Sequence, residues 1–282
     1  MIKESEVKIK HMTNIRRTLL ALTLTLITLL LVCDNKVAFN SKLPAEDKQE
    51  ELNIIENKED NSADVKIYEQ TKVQTLKKVI VIDPGHSKGG NKGMERNSPY
   101  SDVLKVKDPG GATGVSKGLN EYEVNMMVAR KLKVLLEKDG FNVIMSKNSN
   151  EENPGNVDRA NIGNDSKASL VLRIHCDSNN SSSAHGASML VPEPVGYARD
   201  VYKVSQQYGD IILNNFVNST GAKNRGISKR SDITGFNWSK VPVVLIEMGF
   251  MSNTEEDKLL ASDNYQNMIT KGLLNGIKEI FH

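Results

Sequence analysis

Apolar residues fall into three regimes along this chain. Thr18 to Val32, TLLALTLTLITLLLV, is almost continuously apolar, with threonine the only polar residue in it. Asp34 to about Leu76 is polar and biased toward acids, with no sustained apolar periodicity. From Lys77 onward, short apolar runs alternate with longer stretches in which apolar residues recur at helical spacing. Runs of 4–8 apolar residues bounded by turn residues read as buried strands, and a 3.6-residue period reads as a helix with one face on a core. The predicted strands are KKVIVID, FNVIMS, ASLVLRIHCDS, GASMLVP and VPVVLIEMGF. The predicted helices are LNEYEVNMMVARKLKVLLEKDG, the short VDRANIGND, a long one ending at Gly221, and the segment from Asn264 to Phe281. The first places Val124, Met127, Val128, Leu132, Leu135 and Leu136 at helical spacing before Gly140 closes it. Strands alternating with helices predict an α/β fold: a single domain with a mostly parallel twisted sheet flanked by helices, preceded by the apolar N-terminal segment.

The first two regimes give the domain plan. Lys8, Lys10, Arg16 and Arg17 precede the apolar run. A basic flank before about 15 apolar residues has the form of a secretory signal. The run is short for a membrane span of about 20 residues, so a cleaved signal and an uncleaved signal-anchor both stand. Cys33 directly after Leu-Leu-Val resembles a lipoprotein cleavage site, with Val32 where a small residue is expected. Residues 1–33 are therefore read as signal peptide or signal-anchor, 34–76 as a solvated acidic linker, and 77–282 as the catalytic domain. The expected location is the cell surface, membrane-anchored or as a lipoprotein, with release to the wall as a variant of the same reading.

Composition narrows the partners. The net charge is +2, and no basic stripe interleaved with aromatics appears, which argues against nucleic acid. Of two cysteines, Cys33 lies in the N-terminal segment, so Cys176 has no partner in the domain and the fold rests on its core or on a metal.

In open α/β sheets, sites gather beyond the carboxyl ends of strands. Three of the predicted strands end in chemistry-bearing residues: Asp83 and His86; Arg173, His175 and Asp177; and Glu247. Glu121 opens the first long helix. A lone strand-end histidine is commonly a hydrogen-bonded structural residue, and Glu121 alone suits a helix N-terminus. Glu247 is different, because a carboxylate after VPVVLI needs a cation or several donors. Of five histidines, His11 and His282 lie near the ends of the chain, and two of the remaining three fall at strand ends. A His–Glu–His set leaves zinc one open position for water, with Glu247 available to shuttle protons. Alternation puts Arg173, His175 and Asp177 on one sheet face and turns Cys176 away. His185 lies in a polar loop, and the Gly- and charge-rich segment between His86 and Glu121 is expected to be a loop forming a substrate rim or a lid.

VIVIDPGH, LNEYEVN, LVLRIHCDS and VPVVLIEMGFMSN, in this order, resemble the motifs of the zinc-dependent N-acetylmuramoyl-L-alanine amidases, the amidase type 3 family of cell-wall hydrolases. The resemblance covers about Lys77 to Phe281. It implies hydrolysis of the amide between N-acetylmuramic acid and L-alanine in bacterial peptidoglycan. The alternatives are another zinc peptidase of wall peptides or a non-catalytic wall-binding relative. It also implies a Zn2+ cofactor on His86, Glu121 and His175, and Glu247 as the catalytic carboxylate. Asp83 is read as supporting the turn. Arg173, Asn224 and Arg225 are candidates for substrate contact, with a local ion pair as the alternative for Arg173. Trp238 is read as a core anchor or a sugar-stacking residue. Expected partners are peptidoglycan, a membrane through the N-terminal segment or a lipid on Cys33, and an activating protein of unspecified kind.

Overall fold

The run that begins at Val79 becomes a strand inside a six-stranded sheet, buried on both faces, which is why it reads as unbroken apolar sequence. The computed structural model describes residues 77–282; the signal or anchor at 1–33, the linker at 34–76 and Cys33 lie outside the described residues. Strand β1 (Val79–Pro84) is followed by β2 (Asn91–Arg96), β3 (Leu104–Asp108), helix α1 (Glu121–Lys138) and β4 (Asn142–Met145). Next come α2 (Asn156–Asp165), β5 (Leu170–Asp177), β6 (Ala187–Pro192), a 3-10 turn at Gly196–Asp200 and α3 (Tyr202–Thr220). The chain continues through β7 (Asn224–Arg230), a short α4 (Thr234–Asn237), β8 (Val243–Phe250), α5 (Thr254–Leu260) and α6 (Asp263–Phe281).

The sheet order is β4-β1-β5-β8-β6-β7. β4, β1, β5 and β8 run parallel, while β6 pairs antiparallel with β8 and parallel with β7. The fold is thus a mixed, mostly parallel sheet flanked by helices. Alternation along each strand divides the core into two layers. Ile80, Ile82, Leu172, Ile174, Val244 and Ile246 pack on the apolar stripes of α1, α3 and α6, including Val128, Leu132, Phe216, Ile269 and Leu273. On the other face Val81, Val171, Val243, Leu245 and Leu190 make a thinner layer with Phe236.

The segment between His86 and Glu121 differs from the expected loop. It contains the antiparallel hairpin β2–β3, set apart from the main sheet. Its inner side is clamped. The Glu95 carboxylate accepts the backbone N–H groups of Asn156 (2.9 Å) and Val157 (3.1 Å), answering unpaired donors at the start of α2. Asn156 donates to the Lys107 carbonyl at 2.6 Å, and the Trp238 indole N–H donates to the Arg96 carbonyl at 2.9 Å. Trp238, whose two sequence readings were core anchor and sugar stacking, is half-buried and holds this hairpin. It precedes β8, at the opposite end of that strand from Glu247.

Candidate metal centre

Pro84 and Gly85 turn the chain so that His86 stands over the end of the sheet, at a cost. His86 has φ +59°, the left-handed region that a non-glycine residue occupies only when its surroundings insist, at about 1–3 kcal/mol. Several bonds impose it. Gly85 N–H donates to the Ile174 carbonyl at 2.9 Å, and Arg159 donates to the Pro84 carbonyl at 2.8 Å and to Ser87 Oγ at 3.3 Å. Arg159 is held in turn by Asp83, whose carboxylate lies 2.5 Å from Arg159, 2.8 Å from Arg173 and 2.5 Å from Ser146 Oγ. Burial alone would raise the Asp83 pKa, but the charges of Arg159 and Arg173 and the Ser146 hydroxyl outweigh it and hold the carboxyl far below the usual carboxylate range.

His175 comes from the end of β5, across the sheet. Its ring lies directly over Gly85, where a Cβ would stand only 2.2 Å from the His175 ring. Gly85→Ala is therefore expected to displace His175 and to cost about 1–3 kcal/mol of stability, readable by denaturant titration. His175 Nδ1 lies 3.0 Å from Glu121 Oε1. Glu121 is the first residue of α1, whose preceding Asn120 N–H donates to Glu123 at 2.7 Å, a reciprocal cap that fixes where the helix starts. Ala112 N–H donates to Glu121 Oε2 at 3.0 Å, and Cys176 N–H donates to Oε1 at 3.1 Å. Burial pushes Glu121 upward, yet its bond to His175, the nearby imidazoles and Ala112 N–H bring its pKa down to about 2. Burial lowers His175 to about 4, so at neutral pH a neutral imidazole faces an ionised carboxylate. The carboxylate carries no proton, so His175 donates from Nδ1, and its Nε2 lone pair is left buried without a partner.

One donor atom from each of His86, Glu121 and His175 lies within 4.8 Å of the others, and among the described residues no other such group of metal-capable side chains occurs. Two imidazoles and a carboxylate form a donor set that suits a borderline-soft divalent ion such as zinc. The ionised Glu121 and the unpartnered His175 lone pair are what such an ion requires.

Glu247 sits opposite His175 in the β5–β8 register. Its Oε2 is buried without a partner. Burial, reinforced by the charges of Glu121 and Asp177, pushes its pKa well above the ordinary value. A carboxyl with a raised pKa beside a metal-capable cluster is equipped to take and return a proton.

Of the other sequence candidates, Arg173 lines a small cavity together with His86 and His175, and Asn224 and Arg225 are not among its lining residues. Arg173 is buried, paired to Asp83 and to Asn156 Oδ1 at 2.8 Å, the local ion-pair alternative. Asn224 and Arg225 open the edge strand β7 and are exposed; Arg225 lies 4.8 Å above the Phe250 ring and donates to the His185 carbonyl at 3.2 Å. Neither belongs to the metal-capable group. Cys176 is buried behind the sheet, and His185 is exposed. Two residues escaped the sequence reading: Arg159, which props the His86 turn, and Asp108, whose Oδ1 lies 2.7 Å from His86 Nδ1. Asp108-Pro109-Gly110 echoes the Asp83-Pro84-Gly85 that precedes His86, and that echo was the available signal.

The centre lies at the carboxyl ends of β1 and β5, inner strands of the sheet, where His86 and His175 line a small cavity. A cavity of about 480 Å³, lined by Met126, Arg130, Lys131 and Asp263, belongs to α1 and α6 and contains none of these residues.

Comparison with known proteins agrees with the geometry. The family profile described as N-acetylmuramoyl-L-alanine amidase (Amidase_3) matches residues 80–279. The probable cell wall amidase LytH of Staphylococcus epidermidis is 26% identical over 205 residues, covering 72% of this chain and 58% of that protein. The N-acetylmuramoyl-L-alanine amidase LytC of Bacillus subtilis is 26% identical over 213 residues, covering 75% of this chain and 37% of that protein. The chain thus spans about half, or less, of the length of these two relatives. Among solved structures, the apo form of the amidase Ami1 from Mycobacterium abscessus superposes with a TM-score of 0.66 at 19% identity, covering 73% of this chain and 99% of that one, a likeness of fold. With the profile running from β1 into α6, through all three candidate ligands and Glu247, the chain belongs to the Amidase_3 family of N-acetylmuramoyl-L-alanine amidases.

Proposed function

We propose that this protein hydrolyses the amide joining the lactyl group of N-acetylmuramic acid to L-alanine in peptidoglycan, as a zinc enzyme. The observation that carries the reading is the convergence of His86, Glu121 and His175 on one point, with Glu247 opposite His175 in the register. These three residues would hold the ion. When bound, zinc would supply Lewis-acid polarisation of the amide carbonyl and a lowered pKa for the attacking water. The remaining work belongs to the chain. Glu121 and a neutral His175 present donors without a proton to displace. Glu247, in surroundings that raise its pKa, takes the proton of the attacking water and delivers it to the departing alanine nitrogen. Arg159 and Asp83 hold the His86 turn against its backbone strain.

The substrate lies outside the cytoplasm, and the basic-flanked apolar run at 1–33 supports export with retention at the membrane, by the segment itself or by a lipid on Cys33. The acidic stretch 34–76 would then act as a tether that lets the domain reach the wall.

Digesting purified peptidoglycan with the full-length protein and identifying the new ends by mass spectrometry tests the reading. New L-alanine amino termini on an intact glycan are expected. New reducing sugars, or cuts inside the stem peptide, overturn it in favour of another hydrolase, and no new ends at all favour a non-catalytic relative. Removing metal with a chelator should abolish the release, and one equivalent of Zn2+ should restore it.

A further inference from the structure

We propose that Asp108, carried to the site by the β2–β3 hairpin, is a positioning residue that locks His86 in the tautomer with its proton on Nδ1, so that Nε2 presents a free lone pair to the metal. The inference rests on the zinc reading above for its consequence, but not for its geometry.

A neutral imidazole carries one proton, and which nitrogen holds it depends on the acceptors nearby. His86 has a carboxylate on each side. Asp108 Oδ1 lies 2.7 Å from Nδ1, and Glu121 Oε1 lies 3.5 Å from Nε2. The first is a full hydrogen bond to a charged acceptor, and the second is beyond normal hydrogen-bond length. The proton therefore goes to Nδ1. Without Asp108, Glu121 would be the remaining carboxylate facing the ring, and it would draw the proton to Nε2, the nitrogen that faces the cluster. A metal would then have to displace that proton.

Asp108 is placed for this work by bonds outside the site. It ends β3, it is buried, and its hairpin is fixed by Glu95 on the start of α2, by Asn156 on the Lys107 carbonyl and by Trp238 on the Arg96 carbonyl. Asn91, paired with Asp108 in the hairpin register, donates to the Asn153 carbonyl at 3.0 Å and pins the end that carries Asp108. A competing explanation is that Asp108 merely shapes its own turn, because Oδ1 also accepts Gly110 N–H at 3.0 Å. That explanation predicts no effect on the ring of His86. A carboxylate behind a ligating histidine is worth about 10–100-fold in metal affinity.

The test compares the full-length protein with Asp108→Ala and Asp108→Asn. In metal-free protein at pH 8, nitrogen-15 NMR of the imidazoles reads the His86 tautomer, and chelator competition reads the zinc dissociation constant. Wild type should show the proton on Nδ1. Asp108→Ala should shift the population toward Nε2–H and weaken zinc binding about 10–100-fold. Asp108→Asn keeps an oxygen for both His86 and Gly110, so it should fold like wild type and retain the tautomer, with a smaller loss of affinity because the charge is gone. If Asp108→Ala leaves the tautomer unchanged, or if wild type carries the proton on Nε2, the proposal is wrong. If wild type shows the Nδ1–H tautomer but binds no zinc, the zinc reading fails while the positioning role of Asp108 stands.

Discussion

On the proposed zinc amidase reading, Glu247→Gln protein is expected to bind zinc like wild type and to release L-alanine-terminated stems about 10²–10⁴-fold more slowly. The substitution preserves the shape of the side chain and leaves the β8 register against β5 undisturbed. On the proposed mechanism it removes what the reaction needs from this side chain, the ability to accept a proton and return it. The surroundings of the carboxyl explain why the loss is large. Burial and the neighbouring Glu121 and Asp177 carboxylates raise its proton affinity, and its Oε2 has no hydrogen-bond partner to stabilise the charged form. Asp108, the other buried carboxyl with an unpartnered oxygen beside the metal-capable group, is already engaged through Oδ1 with His86 and Gly110. Activity within tenfold of wild type, measured by mass spectrometry of released ends with zinc content verified, would assign the proton transfer to another group.

The second large effect is on stability. Asp83→Ala leaves two guanidinium groups, those of Arg159 and Arg173, buried without their shared carboxylate. Breaking a buried ion pair by removing one partner costs about 3–5 kcal/mol, a large part of the roughly 5–15 kcal/mol that holds a domain together. Urea unfolding of the variant should show that loss, and a change below about 1 kcal/mol would mean that the triad contributes little. The same group sets an acid limit on the wild type. Its folded-state carboxyl is held far below the usual carboxylate range, so the unfolded chain takes up the proton first as acid is added. The Asp83 contribution is therefore complete above about pH 4 and is lost progressively as the pH falls below that toward the depressed folded-state value. Asp83→Ala protein should lack this part of the acid dependence.

The sequence carried the strand-end residues because each breaks an otherwise apolar run. A histidine after VIVIDPG, a histidine inside LVLRIHCDS and a glutamate after VPVVLI are anomalies that burial makes costly, and costly residues are informative. The strands and long helices were legible for the same reason: their periodicity reflects which face is buried. Three features were not. The hairpin escaped because its alternation, Leu104 and Val106 against Lys105 and Lys107, turns the apolar residues outward and the lysines toward the domain, so the pattern did not announce a buried face. Arg159 escaped because a lone arginine in a short helix has no local sign of the carboxylate that will meet it. The direction of β6 escaped because strand polarity is a property of the connections, and an apolar run reads the same in either direction.

Strand order has a consequence for how the chain reaches its folded state. Among the described residues β8 comes last in sequence of the sheet's strands, yet it lies between β5 and β6. Until it arrives, the nascent chain holds two separate pieces, β4-β1-β5 and β6-β7, each with an open apolar edge where β8 belongs. Unpaired strand edges are templates for joining other chains, and exposed ones make partly folded species prone to aggregate. A chain stopped before Val243 therefore keeps both edges exposed, however much of its length is already present. The closing strand also brings Glu247 opposite His175, so that pairing forms only in the step that seals the sheet.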